Sequence, residues 1–85
     1  MKSFTYVIKD KEGIHARPAG VIAGEAKKFN STVIMKNKGK DADVTRILRV
    51  MALCVKSGEE VVIEVTGADE EEACAALKKA FEENL

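Results

Sequence analysis

The heptapeptide Gly13-Ile14-His15-Ala16-Arg17-Pro18-Ala19 holds the only histidine and the only proline of the chain, three residues apart. With an unperturbed pKa of ~6.5, imidazole keeps one nitrogen free as a nucleophile near neutral pH while the other shares developing charge. A nucleophile at a helix start sits beside unpaired backbone N–H groups and the positive end of the helix dipole, which together favour a bound anion. That combination suits attack on a phosphoryl donor. The product would carry about two negative charges, which Arg17 can counter through charge-assisted hydrogen bonds and the amides of Ala16 and Arg17 can solvate. Phosphoryl transfer demands mainly positioning and electrostatics, so a small domain with one nucleophile can take part when a partner supplies the remaining groups. No second acid, base or metal set accompanies His15, which argues for a carrier before a self-contained enzyme. The bland alternative is a capping or surface histidine, and His15 and Arg17 as a pair do not decide between them.

The rest of the composition narrows the choice. Eighty-five residues, 46% hydrophobic and 33% charged, describe one domain over residues 1–85 with a single core. Fourteen basic and fourteen acidic side chains balance, giving no overall field for nucleic acid or an anionic membrane. One Tyr, three Phe and no Trp give little support to an RNA-binding sheet. No apolar run approaches the roughly 18 residues needed to cross a bilayer, and the first residues lack the long apolar segment of a signal peptide, so a cytoplasmic protein without membrane insertion is expected. Cys54 and Cys74 form no CxxC and have one histidine in the whole chain to join them, so no metal site or cofactor is expected. Both cysteines read as small apolar core fillers.

The elements that must position His15 follow from periodicity. Phe4, Tyr6 and Ile8 alternate with Thr5 and Val7 as a half-buried strand, ended by Lys9-Asp10-Lys11-Glu12-Gly13. From Ala16 to about Phe29, Pro18, Ile22, Ala26 and Phe29 recur at helical spacing; Pro18 is tolerated in the first turn, which puts His15 at the N-cap. Thr32–Asn37, the turn residues Asn37-Lys38-Gly39-Lys40 and a weakly apolar segment from Lys40 to Val44 predict a hairpin whose second strand lies at an edge. Val61, Ile63 and Val65 form the next strand. Asp69 and Glu72 have the spacing of a capping box at the head of a last helix whose apolar residues are Ala73, Leu77, Ala80 and Phe81. The order is βαββαβα, suited to an α+β two-layer sandwich with helices on one face of the sheet.

Two features suggest a partner surface. Between Arg46 and Cys54 seven of nine residues are apolar in a span of about two helical turns, which cannot bury every side. If Val50 and Leu53 face the core, Ile47, Leu48 and Met51 are left partly exposed between Arg46 and Arg49, unless a loop buries them all. Gly20 and Gly24 share one face of the first helix, where each costs about 1 kcal/mol relative to Ala; they either admit another surface or are drift.

The heptapeptide closely resembles the active-site signature of the HPr family, the histidine-containing phosphocarriers of the bacterial phosphoenolpyruvate:sugar phosphotransferase system. Asn37 to Lys40 resembles that family's hairpin turn, Ile47 to Leu53 its short second helix, and Gly67-Ala68-Asp69-Glu70 its entry to the last helix, so the likeness spans essentially the whole chain. The resemblance implies an open-faced sandwich, its antiparallel sheet in the order 1-4-2-3 under three helices. It implies that His15 accepts phosphate at Nδ1 from phospho-Enzyme I and passes it to IIA domains of sugar permeases, with Arg17 steadying the phosphohistidine. Ala16, Gly20, Gly24, Arg46, Ile47, Leu48, Arg49 and Met51 are the expected partner-binding residues of a monomer. A nitrogen-branch paralogue acting mainly in regulation is the alternative.

Three positions depart from the family. Relatives of the low-GC Gram-positive kind carry a regulatory serine at the position of Arg46, which has no hydroxyl; Thr45 beside it would be a shifted site. Glu12 stands where a small polar residue is common, and its charge opposes a phosphate unless it points away. Cys54 replaces a glycine often found after the short helix, which puts a left-handed cap there in doubt.

Overall fold

The computed structural model describes all 85 residues, Met1–Leu85. Its elements are β1 (Lys2–Val7), α1 (Ala16–Ala26), β2 (Ser31–Asn37), β3 (Lys40–Asp43), α2 (Ile47–Ala52), β4 (Glu60–Gly67) and α3 (Glu70–Asn84). The four strands form one antiparallel sheet in the order β1-β4-β2-β3, which leaves β3 at the edge as the weak apolar pattern predicts. Register follows the period of two: Val33 lies opposite Val65 and Met35 opposite Ile63, so the apolar side of β2 meets that of β4. These four side chains are at most 1% exposed. The other side of the sheet stays open, carrying the Lys36–Glu64 ion pair at 3.1 Å.

Helices close the apolar side. Pro18, Ala19, Ile22, Ala23 and Ala26 are the buried stripe of α1, and Ala73, Leu77, Ala80 and Phe81 that of α3. Phe81 is the anchor: its ring meets Phe4 and Tyr6 of β1 edge-on, with centroids 5.6 and 5.7 Å apart. The β2–β3 turn places Lys38 at φ 50° and Gly39 at φ 80°, the two left-handed residues of a tight hairpin whose twist matches its strands.

Four local expectations are corrected. Helix α1 ends at Ala26 instead of near Phe29, because Lys28 and Phe29 donate to carbonyls only three residues back, tightening the last turn. Asp69 does sit at the N-cap of α3 but forms no capping box. Its carboxylate is taken by β2 and the residue before it, accepting from the Asn30 amide at 2.8 Å and the Ser31 hydroxyl at 2.5 Å. Cys54 is exposed and Cys74 only half-buried, so neither is a core filler. Finally, Cys54 keeps the left-handed cap that its side chain put in doubt, at φ 54° just after α2. The αL conformation ends the helix so that Val55 can turn into the core, and a non-glycine residue adopts it under strain.

Candidate phosphoryl site and partner face

The segment between β1 and α1 is tied down from two sides. At its start, the Lys9 and Asp10 amides donate to the Leu85 carbonyl at the end of α3, at 2.6 and 2.8 Å. At its end, the Ile14 amide donates to the Val55 carbonyl just after α2, at 3.0 Å. Gly13 makes this second approach possible. It lies at φ 71°, and a Cβ there would collide with the Val55 carbonyl and come within 2.8 Å of Lys56 Cα. Within the segment Asp10 organises the turn, its carbonyl accepting from Gly13 N–H at 3.0 Å and its Oδ1 from Glu12 N–H at 2.9 Å.

His15 is the N-cap of α1, as the sequence predicts, in extended backbone with φ −111° and ψ −179°. Its carbonyl accepts from Ala19 N–H at 3.1 Å, while its side chain makes no capping bond. The amides of Ala16 and Arg17 have no acceptor within the protein, and Pro18 has no N–H to satisfy. No acidic residue stands in the first turn of α1. The helix therefore presents two free donors and an uncompensated positive dipole end beside the imidazole.

The ring is 30% exposed, open to a partner yet held on one side. Its Nε2 lies 3.5 Å from Asp10 Oδ2 and 3.5 Å from Glu12 Oε2. Glu12 thus points toward the imidazole but to Nε2, leaving Nδ1 as the ring nitrogen that does not face a carboxylate. The Asp10 carboxyl is held below the usual carboxylate range, chiefly by the Glu12 amide and further by His15 and the charge of Arg17. Arg17 itself is exposed and forms no ion pair or hydrogen bond within the protein, so its guanidinium is free for an outside anion. The role of Asp10 went unread in the sequence. Its signal was a carboxylate five residues before the histidine, in a turn that only the fold brings back onto the ring.

The other singled-out residues divide between two helices. Leu48 is 81% exposed, while Ile47 and Met51 are half-buried against the core and Val50 is buried beneath them. Arg46 and Arg49 are exposed beside Leu48 and line with it one shallow depression on α2. Gly20 connects the two regions, because a Cβ on it would just touch Ile47 Cδ1 at 4.0 Å. A Cβ on Gly24 would meet nothing within 4 Å, so no intramolecular packing requires glycine there. Beside Arg46, the Thr45 hydroxyl donates to Asp43 Oδ1 at 2.6 Å and is already engaged.

Comparison with known proteins agrees with this geometry. The family described as "PTS HPr component phosphorylation site" matches residues 2–83. Phosphocarrier protein HPr of Mycoplasma genitalium is 44% identical over 85 residues, covering 99% of this chain and 97% of its own. Among solved structures, the histidine-containing phosphocarrier protein of a Mycoplasma superposes with a TM-score of 0.94 at 38% identity, over 96% of this chain and 93% of that one. HPr from Thermoanaerobacter tengcongensis gives 0.92 at 38% identity, over 99% and 94%, and has also been solved as a dimer. Sheet order, helix placement and full-length likeness therefore converge: the chain belongs to the HPr family, the phosphocarriers of the phosphotransferase system.

Proposed function

We propose that His15 is the phosphoryl acceptor of this phosphocarrier, taking the group at Nδ1 from phospho-Enzyme I and passing it to IIA domains of sugar permeases. The Nδ1 lone pair attacks phosphorus, the bond to the donor breaks with its electron pair leaving on the donor, and a phosphoimidazole results. In delivery the Nδ1–P bond breaks and the pair returns to the ring. The free amides of Ala16 and Arg17 and the unpaired Arg17 guanidinium supply the donors for the phosphoryl oxygens. The observation that carries this reading is that the sole histidine sits at the N-cap of a helix whose first turn has free amides, no acidic residue and an unpaired Arg17.

Docking fits the adjoining face. Leu48, with Ile47 and Met51 behind it, offers an apolar centre rimmed by Arg46 and Arg49, and Gly20 and Gly24 keep α1 low beside it. The protein works as a monomer in the cytoplasm, a state that sedimentation of the purified chain would check. Regulation through a phosphoserine at position 46 is absent because Arg46 has no hydroxyl, and Thr45 is bonded to Asp43. The relatives are named phosphocarrier protein HPr and do not favour the nitrogen branch.

The test is incubation with purified Enzyme I and labelled phosphoenolpyruvate. The expected product is an acid-labile, base-stable phosphoramidate that a tryptic map locates on His15, and His15→Ala should abolish it. Full labelling of that variant would refute the assignment.

A further inference from the structure

We infer that Asp10 and Glu12 are positioning residues that keep the proton on His15 Nε2 throughout the phosphoryl cycle, so that Nδ1 is always the reactive nitrogen. This rests on the reading of His15 as the carrier site and deepens it. The two carboxylates approach the same ring nitrogen from different backbone positions, Asp10 Oδ2 and Glu12 Oε2 each 3.5 Å from Nε2. At 3.5 Å the two negative charges act on the ring through their field, which favours the tautomer whose hydrogen lies on the nitrogen they face. The other nitrogen then keeps its lone pair.

Asp10 is placed for this by the fold. The Leu85 carbonyl holds the Lys9 and Asp10 amides, and Oδ1 of Asp10 is occupied by the Glu12 amide, which leaves Oδ2 to face the ring. Glu12 comes from the solvent side, its side chain 74% exposed. Arg17 is the nearby cation, and its field acts on the Asp10 carboxylate.

The chemistry balances without a proton acceptor. On phosphorylation the Nδ1–P bond forms while the Nε2–H bond persists, and the positive charge gained by the ring spreads toward the two carboxylates. On delivery the Nδ1–P electron pair returns to Nδ1, and the ring departs as neutral imidazole with the same Nε2 hydrogen. A ring that lost this hydrogen would have to leave as an anion. The carboxylates thus act on the leaving group and never touch the phosphoryl oxygens.

The experiment compares wild type with Asp10→Asn/Glu12→Ala, and with Glu12→Ala alone, whose exposed side chain cannot be needed for folding. Asn at position 10 retains an oxygen for the Glu12 amide bond. Long-range proton–nitrogen correlation of 15N-labelled protein at about pH 8.5, where a free imidazole is neutral, reads the two tautomers separately. The ratio of Nε2–H to Nδ1–H forms should fall about two- to fivefold in the double variant, and less in the single one, as for other solvent-screened charge pairs. Single-turnover transfer to a IIA domain should slow by a similar factor, with the docking constant unchanged. An unchanged tautomer ratio in both variants would overturn the proposal. Labelling found on a residue other than His15 would overturn the functional reading and this inference with it, whereas an unchanged ratio with His15 labelled overturns this inference alone.

Discussion

The starts of α1 and α3 are opposite solutions to the same problem, the unpaired amides and positive dipole end of a helix N-terminus. Helix α3 leaves its first amides without acceptors but offsets its dipole with its own charges. Glu70, Glu71 and Glu72 occupy its first turn, Glu70 accepts from the Gly67 amide at 3.2 Å, and the Met1 amine pairs with Glu70 at 2.8 Å. Helix α1 likewise has no side-chain cap and amides without partners, but it has no acid in its first turn and carries an unpaired Arg17. A helix end that leaves its field uncompensated can hold an anion that comes and goes; one that turns it on its own carboxylates contributes stability alone. The difference separates the proposed site from a structural joint.

Removing the outside charge from the α1 end should give the largest effect. Arg17→Ala is expected to slow phosphoryl transfer about 10²-fold, in line with losing one preorganised donor, without unfolding the domain. Rapid-quench transfer kinetics beside a circular dichroism spectrum would check both halves, and unaltered rates would remove Arg17 from the site.

Disrupting the support under α1 comes next. Gly13→Ala forces a Cβ onto a left-handed backbone against the Val55 carbonyl, and should cost about 2 kcal/mol or more in urea unfolding. A neutral result would mean that the β1–α1 segment can reseat.

Making α1 resemble α3 sharpens the contrast directly. Ala16→Asp puts a carboxylate in the first turn of α1, which should slow transfer on the order of tenfold while the helix gains up to about 1 kcal/mol from its dipole. Activity and stability should therefore move in opposite directions; if both fall, the field argument is wrong.

Helix ends can be compared in the same way. Cys54 holds φ 54° where glycine would be unstrained, so Cys54→Gly should raise unfolding stability by about 0.5–1 kcal/mol.

The smallest effect belongs to the α3 joint. Asp69 has its carboxyl held below the ordinary value, first by the Ser31 hydroxyl and then by the Asn30 amide. A group depressed in the folded state contributes stability fully above its unfolded pKa and loses it as pH falls through the folded one. Stability should therefore decline below about pH 4, and Asp69→Asn should flatten that part of a melting-temperature series. An unchanged acid slope would show that another carboxylate carries it.

Much of this was legible because burial leaves a period in the sequence. Val61, Ile63 and Val65 announce β4, Leu77 and Phe81 the inner side of α3, and the exposed Leu48 follows from a helix too apolar for its length. His15 at the α1 N-cap was legible too, since Pro18 three residues on marks a first turn. What could not be read was which group a polar side chain chooses. Asp69 had the spacing of a capping box, yet Asn30 and Ser31, nearly forty residues away in sequence, offered better donors. Glu12 could be named as a charge near His15, but not which ring nitrogen it faces.

The chain's own pattern of apolar spacing, turn residues and a histidine before an early proline decided the elements, their order and the place of His15 at the head of α1, because those depend on local periodicity and backbone sterics. The folded assembly alone decided that Leu85 and Val55 clamp the β1–α1 segment, that Asp10 and Glu12 meet at Nε2, and that Cys54 turns left-handed. Hydrogen bonds and ion pairs act over a few ångströms with directional demands, so their partners are chosen only once packing has brought distant residues within reach.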